Sequence, residues 1–316
     1  MIQRLFLLVT ALLLATAAWA QGDGLLLGIV SISPAEANNA RFINGATEQA
    51  TEFGWRVQVI DAQGAADQAN SAIQNLVTRR AGAIIDMVFP TTSLNAGLVA
   101  AERAGIPVGT WGGGFGRAVV AVNGSGGPMA IPVTEQMVAD MGGTGSVLAL
   151  TYHTGQVCRE REEEMDRILA NYPDITVTKN EVRIPGYLQD GAQYAAAWLA
   201  SHPAGAEPLA IWGCWDDPAL GAISTMRQQN RDDVLVYGVN GNAEAILAVQ
   251  SGWMTATAWQ QSFEEGKLLV RTLKEAIDTL EAGGTFEPVA VEIEAIVVNA
   301  DTVEGFIEEY PEAVGN

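Results

Sequence analysis

The chain has 316 residues, of which 48% are hydrophobic and 17% are charged. This is the composition of an ordinary folded protein, so disorder over the bulk of the chain is excluded, and the length suffices for about two domains. There are 17 Lys and Arg against 37 Asp and Glu, a formal net charge of −20. Because binding to phosphate groups requires clustered basic residues, we expect neither nucleic acid nor an anionic lipid surface as a partner.

The first twenty residues have the three regions of a secretory signal peptide. Arg4 supplies the positive charge, residues 5–15 form an apolar stretch, and Ala18-Trp19-Ala20 matches the small-residue pattern of a cleavage site. The apolar stretch is shorter than the ~20 residues of a membrane-spanning helix. We therefore predict that residues 1–20 are a signal peptide and that the protein is exported.

From Leu25 onward, short β-branched apolar runs alternate with amphipathic stretches of helical period, which is typical of βαβ units with a parallel sheet. Gly54, Gly82 and Gly105 follow three of these stretches, at the position where a helix end favours glycine. The first half of the chain predicts strands at 25–30, 56–61, 83–88 and 106–111, and helices at 39–53, 66–80 and 92–104.

A glycine-rich region at 112–128, with one β-type run at 118–123, interrupts this alternation and marks the expected crossing between two lobes. The alternation then repeats. The predicted strands are 146–151, 176–184, 209–213, 234–239 and 255–260, with helices at 158–170, 189–200, 218–229 and 243–250. A long helix at 263–282, a strand at 288–298 and a terminal helix ending at Tyr310 complete the chain.

The predicted fold class is therefore α/β, with two similar lobes, each a doubly wound parallel sheet with helices on both faces. Open parallel sheets bind ligands at the carboxyl ends of their strands, so two facing lobes create a ligand cleft between them. Amide side chains suit hydroxyl groups, and aromatic rings suit the apolar face of a sugar. The candidate ligand-binding residues at the strand ends are Ser31, Asn39, Trp111, Arg159, Trp215, Asn240 and Gln260.

Arg159 lies in the first turn of a predicted helix, where a guanidinium can donate to hydroxyl or carbonyl oxygens. The alternative for this residue is a surface ion pair with one of the neighbouring glutamates. Between the two arginines of this turn, we interpret Arg161 as the surface residue and Arg159 as the ligand contact.

No catalytic residue, metal site or cofactor is predicted. His153 and His202 are the two histidines, too few for a Ser-His-Asp arrangement or a histidine-rich metal centre. Asp216 and Asp217 are adjacent, so their side chains point apart, whereas glycoside hydrolysis needs two carboxyl groups that face each other. Asp217 is interpreted as a helix N-cap before Pro218. We expect a binding protein, and a secreted glycosidase or lyase is the enzymatic alternative.

Seven short segments are informative through their order and spacing: GIVS at 28–31, NGA at 44–46, AGIPV at 104–108, CRER at 158–161, DDPALGA at 216–222, YGVNG at 237–241 and ATAWQ at 256–260. Together they resemble the type I periplasmic binding proteins of ABC transporters, in particular the ribose-like sugar-binding group. The resemblance covers nearly the whole chain after residue 20.

The resemblance implies roles for several of the candidate residues. The Arg that contacts the sugar in that group falls on Arg159, and the Gln of its hinge strand falls on Gln260. An amide contact of the group is replaced by Trp215, and a carboxylate contact by Asn240. The largest departure is Gly112-Gly113, which replaces an Asp-Arg pair that grips sugar hydroxyls. The ligand is therefore expected to differ from ribose in shape, in hydroxyl number or in bulk.

The resemblance also implies a three-segment hinge, with crossings between the lobes near Asn123, Gln260 and Val291. The implied N-terminal lobe comprises residues 21–123 and 261–291, and the implied C-terminal lobe comprises residues 124–260 and 292–316.

The chain has two cysteines, Cys158 and Cys214. Export into an oxidising compartment makes them candidates for a disulfide, and a pair of buried free thiols is the alternative. The resemblance places the strands before the two cysteines side by side, which implies a Cys158–Cys214 disulfide.

The function implied by the resemblance is that of a monomeric periplasmic solute-binding protein without a cofactor. It would capture a monosaccharide or polyol by hinge closure and deliver it to the membrane permease of an ABC transporter. Two alternatives stay open: a ligand sensor that docks on a chemoreceptor or sensor kinase, and a receptor for a nucleoside or an amino acid.

Overall fold

A computed structural model of the protein describes residues 24–124 and 126–315, in which the chain forms two sheets of six strands each. The predicted signal peptide, residues 1–20, lies outside the described residues. Within the described part of the chain, no helix combines the length and the apolar character needed to cross a membrane.

All the strands and helices predicted for the first half of the chain are present. Their boundaries differ from the predicted ones by one to three residues at most ends, as is usual for helix and strand termini. The elements are β1 (Leu26–Ser31), α1 (Ala37–Glu52), β2 (Arg56–Asp61), α2 (Ala66–Thr78), β3 (Ala83–Met87), α3 (Asn95–Ala104), β4 (Val108–Trp111) and β5 (Val119–Asn123).

The second half repeats the alternation of strand and helix. It contains α4 (Gly127–Asp140), β6 (Gly145–Thr151), α5 (Gln156–Leu169), β7 (Ile175–Glu181), α6 (Tyr187–Ser201), β8 (Leu209–Gly213), α7 (Asp216–Gln229), β9 (Val234–Asn240), α8 (Ala243–Gln250) and β10 (Ala256–Trp259). The last elements are α9 (Ser262–Glu281), β11 (Val289–Ala290), β12 (Ile296–Asn299) and α10 (Val303–Glu309).

Two features of this order differ from the sequence prediction. The sequence did not indicate α4, because this helix begins inside the glycine-rich region and contains Pro132. Its place is fixed by the burial of apolar side chains such as Val133 and Met137. The single strand predicted at 288–298 is in fact two short strands, β11 and β12, which belong to different sheets.

The first sheet has the order β11-β5-β4-β3-β1-β2 and the second has the order β12-β10-β9-β8-β6-β7. All neighbours are parallel except β12, which runs antiparallel to β10. The chain leaves the first sheet after Asn123, returns after Trp259 and leaves it again between Ala290 and Ile296. The carboxyl ends of the two sets of parallel strands therefore face each other across three connecting segments.

The pattern of burial along the strands follows from their place in each sheet. All residues of the inner strands β1, β3 and β6 are buried, as expected for parallel strands covered by helices on both faces. The edge strands β2 and β7 contain exposed and partly buried residues, apart from the buried Ile175 at the start of β7. The continuous apolar runs of the sequence thus correspond to the centre of each lobe.

Helices α1 and α9 pack closely against each other at two glycines. A Cβ atom on Gly45 would lie 1.9 Å from the Phe263 carbonyl oxygen, and one on Gly266 would lie 2.3 Å from the Phe42 carbonyl oxygen. Real Cβ atoms do not approach backbone oxygens this closely, so each helix needs a residue without a side chain at the crossing. This packing holds α9 against α1, and Glu265 in the first turn of α9 contacts Trp111 and Asn123 at the ends of β4 and β5.

We predict that Gly45→Ala lowers the free energy of unfolding by about 1–3 kcal/mol, because the added methyl group overpacks the α1–α9 contact. The matched control is Gly305→Ala in α10, where a Cβ atom would have no neighbour within 4 Å. That substitution should leave stability unchanged or raise it by up to about 1 kcal/mol. Urea unfolding followed by circular dichroism measures both, and equal stability of the two variants would contradict the prediction.

Candidate ligand-binding site

A cavity lies between the carboxyl ends of the two sets of strands. The space between the strand ends amounts to about 480 Å³, part of which is open to solvent. The first lobe contributes Ile32, Glu36, Asn38, Asn39, Val88, Trp111 and Gly112, the second contributes Tyr152, Val157, Cys158, Arg161, Ile184, Trp215 and Asn240, and the connecting segments contribute Gly124 and Gln260.

Five of the seven residues proposed from the sequence line this cavity: Asn39, Trp111, Trp215, Asn240 and Gln260. Ser31 and Arg159 do not. Ser31 is fully buried at the end of β1, and the residue after it, Ile32, lines the cavity instead. Successive side chains of an extended chain point to opposite sides, so only one of these two neighbours can face the cavity.

The cavity contains Arg161 rather than Arg159. The buried face of α5 includes Cys158, Arg161 and Met165, which share one side of a helix of 3.6 residues per turn. Arg159 lies one residue off this face and donates to the His153 carbonyl oxygen, 2.6 Å away. The interpretation of Arg161 as a surface residue is wrong, since its exposed fraction is 2%.

Arg161 is held in place by its outer nitrogens. Nη1 donates to the Cys214 carbonyl oxygen at 2.7 Å, and Nη2 lies 3.8 Å from Met129 Sδ. Within residues 24–124 and 126–315, Nε of Arg161 has no hydrogen-bond partner. A buried donor without a partner in the cavity wall is suited to an oxygen atom of a ligand.

Trp111 is fixed on both its face and its edge. Its ring stacks on Phe42, with ring centres 4.6 Å apart, and its Nε1 donates to Glu265 Oε2 at 2.7 Å. The same carboxylate oxygen accepts from Gln260 Nε2, also at 2.7 Å. Burial raises the pKa of Glu265 to about 7. Glu265 is not among the residues predicted from the sequence. The sequence feature that could have indicated it is an acidic residue on the apolar face of the amphipathic helix α9.

The amides of Asn38 and Gln260 are engaged with protein groups. Asn38 Nδ2 donates to Gln260 Oε1 at 2.9 Å, while Asn38 Oδ1 accepts from Arg41 Nη2 at 2.8 Å and from the Ser262 hydroxyl. The Gln260 amide nitrogen is bound to Glu265. These two residues therefore shape the cavity wall and link a connecting segment to the first lobe.

Trp215 stands on the second-lobe side of the cavity, just before α7. Its ring makes edge contacts with Tyr152 and Tyr187, at centroid distances of 6.0 and 5.6 Å. Burial raises the pKa of both tyrosines to about 12, so both hydroxyls stay protonated near neutral pH. The cavity therefore has an aromatic wall in each lobe, Trp111 in the first and Trp215 with Tyr152 in the second.

Hydrogen bonds join the two lobes directly. Arg41 of α1 donates through Nη1 to the Gly241 carbonyl and through Nη2 to the Asn240 carbonyl, each at 2.7 Å. At another point of the cleft, the backbone N–H of Gln156 donates to the Val88 carbonyl at 3.0 Å. The structure is therefore that of the closed form.

The backbone is strained at two residues that take part in these bonds. Val88 has φ +79° and Asn240 has φ +114°, in the region that favours glycine. Such conformations persist only where neighbouring contacts hold them, and they are concentrated at functional sites. Here the bonds from the opposite lobe supply those contacts.

Two carboxyl groups, one from each lobe, share a hydrogen-bond donor beside the cavity. Glu36 caps α1 by accepting from the backbone N–H groups of Asn38 and Asn39, at 3.1 and 2.8 Å. The Nδ2 group of Asn242, from the second lobe, donates to Glu36 Oε1 at 3.2 Å and to Asp217 Oδ1 at 2.9 Å. One amide thus bridges carboxyl groups of both lobes.

Asp216 and Asp217 have structural partners. Asp216 accepts from the Asn242 backbone N–H and from Thr257 Oγ1, both at 2.7 Å. Asp217 is not the N-cap of α7, because the helix begins at Asp216 with Trp215 at the cap position. Burial is the largest cause that raises the pKa of Asp216 to about 7 and that of Asp217 to about 8.

Cys158 and Cys214 lie side by side, and both thiols are buried and unbonded in the structure. Their Sγ atoms are 2.8 Å apart, and Cys158 lines the cavity. Burial raises the pKa of the Cys214 thiol well above its ordinary value. Because the two sulfurs are close enough to bond after a small movement, the Cys158–Cys214 disulfide stays a prediction.

The sequence pattern that defines the periplasmic binding protein domain matches residues 29–281. The chain belongs to this family. It is 29% identical over 263 residues to the ribose import binding protein of Haemophilus influenzae, covering 77% of this chain and 83% of that protein. Family members of this kind are periplasmic sugar-binding components of ABC transporters.

Solved structures show the same two-lobed fold. An ABC sugar transporter subunit from Rhodobacter sphaeroides superimposes with a TM-score of 0.78 at 27% identity, covering 87% of this chain and 98% of that one. An ABC transporter solute-binding protein from Agrobacterium vitis, solved with bound allitol, gives a TM-score of 0.81 at 24% identity, covering 91% and 99%. The fold class predicted from the sequence is confirmed.

We predict that Arg41→Met opens the cleft of the periplasmic binding protein. Methionine keeps much of the apolar stem but removes the two bonds to the carbonyls of the opposite lobe. The radius of gyration from small-angle X-ray scattering should rise. The control, Arg271→Met, removes a bond to Gln49 within the first lobe and should leave it unchanged. An equal radius of gyration for the unmodified protein and both variants would show that these bonds do not hold the lobes together.

The raised pKa values of Asp216 and Asp217 predict a pH-dependent stability. The folded state binds these protons more tightly than the unfolded state, so stability falls as the pH rises from about 4 to about 8. The melting temperature of the protein should therefore be lower at pH 8 than at pH 5, and Asp217→Asn should reduce this difference. The control, Asp67→Asn, removes a carboxylate from an exposed position and should leave the difference in melting temperature between the two pH values unchanged. A difference equally large in all three proteins would refute the assignment.

Proposed function

We propose that this periplasmic binding protein captures a sugar or polyol by closing its lobes and presents the closed form to the membrane permease of an ABC transporter. The single observation that carries the proposal is the cavity between the strand ends, whose wall is shared by both lobes. The relatedness to a ribose import binding protein, and to a xylitol-binding protein of Mycolicibacterium smegmatis that is 27% identical over 199 residues, supports a hydroxylated ligand.

In this proposal, residues 1–20 direct export to the periplasm and the mature chain works as a monomer. The lobes comprise residues 21–123 with 261–291 and residues 124–260 with 292–316. The formal net charge of −20 argues against nucleic acid as a partner.

Closure is the working step of the proposed mechanism. A ligand shifts the equilibrium between open and closed forms only by its difference in affinity for the two. A ligand in the cavity touches both lobes in the closed form and one lobe in the open form. The ligand contacts that we propose are Arg161 and Asn240 for hydrogen bonds, Trp111 and Trp215 for ring packing, and Asn39 for the first-lobe wall.

No catalytic step is part of this proposal. Asp217 is hydrogen-bonded to the Asn242 amide, and Asp216 to Thr257 Oγ1, so each carboxyl group has a structural role. His153 lies on the surface, where Glu162 Oε2 is 2.8 Å from its Nε2. These side chains do not form an acid and base pair that faces across the cavity.

The test is a thermal-shift screen of the protein against sugars, polyols, nucleosides and amino acids at about 1 mM. A ligand with a dissociation constant of about 1 μM should stabilise the fold by roughly 4 kcal/mol, which raises the melting temperature by several degrees. We expect hits among the sugars or polyols. A response confined to nucleosides or amino acids, or no response at all, would overturn the proposed ligand class.

Two neighbouring arginines of α5 provide a matched pair of variants for the hit. Arg161→Gln removes the buried donor in the cavity and should weaken binding at least tenfold in titration calorimetry. Arg159→Gln changes a side chain that is bound to the His153 carbonyl outside the cavity and should leave affinity unchanged. The reverse result would restore Arg159 as the contact.

A further inference from the structure

We propose that the ligand carries an apolar substituent, such as a deoxygenated or alkylated carbon, and is not a fully hydroxylated sugar. This inference rests on the proposed function, since it concerns the ligand of the same cavity. It follows from the contrast between the large apolar part of the wall and the small number of polar atoms left for a ligand.

The apolar part of the wall comes from both lobes. Ile32 and Val88 lie on the first-lobe side, while Val157 and Ile184 lie on the second-lobe side. None of these side chains can accept or donate a hydrogen bond. A ligand hydroxyl placed against them would lose its hydrogen bonds to water without replacement, whereas a methyl or methylene group would gain by burial.

Val157 closes the space beside Gly112. A Cβ atom on Gly112 would lie 2.4 Å from Val157 Cγ1, so the valine of the second lobe packs directly onto the glycine backbone of the first. The Gly112 backbone also has φ +72°, which disfavours any residue with a side chain. The wall is therefore apolar where the two lobes meet, because the Val157 side chain covers the Gly112 backbone.

Most polar residues of the wall are engaged with protein groups. Asn38 and Gln260 bind each other and their neighbours, and Glu36 accepts from two backbone amides and from the Asn242 side chain. Closed networks of this kind leave few atoms for a ligand. Among the described residues that line the cavity, the buried side-chain atoms without a hydrogen-bond partner are Arg161 Nε and Trp215 Nε1, which are donors, and Asn240 Oδ1, which is an acceptor.

Two donors and one amide acceptor can orient two or three oxygen atoms of a ligand. They cannot satisfy all the hydroxyls of a pentose or hexose that is enclosed between two aromatic and two aliphatic surfaces. Each unsatisfied hydroxyl would be buried at a cost. The cavity therefore selects a ligand with a polar end and an apolar end.

The experiment compares matched sugar pairs by titration calorimetry on the full exported chain. The pairs are D-ribose with 5-deoxy-D-ribose, and D-galactose with D-fucose, in which one hydroxyl is replaced by hydrogen. We expect the deoxy member of at least one pair to bind at least tenfold more tightly than its parent. If the parents bind as tightly or more tightly, the inference is wrong and the sugar-binding proposal stands. If neither member of either pair binds, the inference fails, whereas the thermal-shift screen decides the sugar-binding proposal.

A variant identifies the part of the wall responsible. Val157→Thr keeps the shape of the side chain but adds a hydroxyl group, so it should reduce the preference for the deoxy sugar at least threefold. The control is Val177→Thr on the edge strand β7, a partly buried valine outside the cavity wall, which should leave the preference unchanged. An unchanged preference in Val157→Thr, with the fold intact by circular dichroism, would contradict the role of this apolar wall.

Discussion

The buried carboxyl group of Glu265 joins the parts of the molecule that form the cavity. One of its oxygens accepts from Trp111, at the end of a first-lobe strand, and from Gln260, in a connecting segment. Its backbone carbonyl accepts from Asn123, where the chain first leaves the first sheet, at 3.2 Å. The position of this residue depends in turn on the close approach of α1 and α9 at two glycines. Helix packing, the connecting segments and the cavity wall are thus linked through one residue.

The closed form is stabilised by bonds that the protein makes with itself. Arg41 binds two carbonyl groups of the opposite lobe, and one of these belongs to Asn240, whose backbone is strained. A similar bond from Gln156 meets the strained Val88. Bonds from the opposite lobe therefore hold both strained residues in place.

Polar residues at a cleft do not all serve a ligand. Asn38, Glu36 and Gln260 line the cavity, yet their polar atoms are bound to helix ends, to other amides and to the buried Glu265. Their role is to hold the wall in shape. The polar atoms of the wall without a partner among the described residues belong to Arg161, Trp215 and Asn240, and aromatic and aliphatic side chains form much of the remaining wall.

The two-lobed α/β fold could be predicted from the amino-acid sequence, because alternating apolar strands and amphipathic helices with glycine stops allow few other arrangements. The positions of Asn39, Trp111, Trp215, Asn240 and Gln260 at the cleft could be predicted too, since parallel strands bring their carboxyl ends to one edge. The choice between neighbouring residues depended on tertiary packing: the rotation of α5 put Arg161 rather than Arg159 in the cavity, and the end of β1 put Ile32 there rather than Ser31. Which polar atoms remain free was likewise decided by contacts between residues more than 200 positions apart, such as Asn38 with Gln260. Local pattern carries no information about such pairs, because they exist only once both lobes are folded and closed.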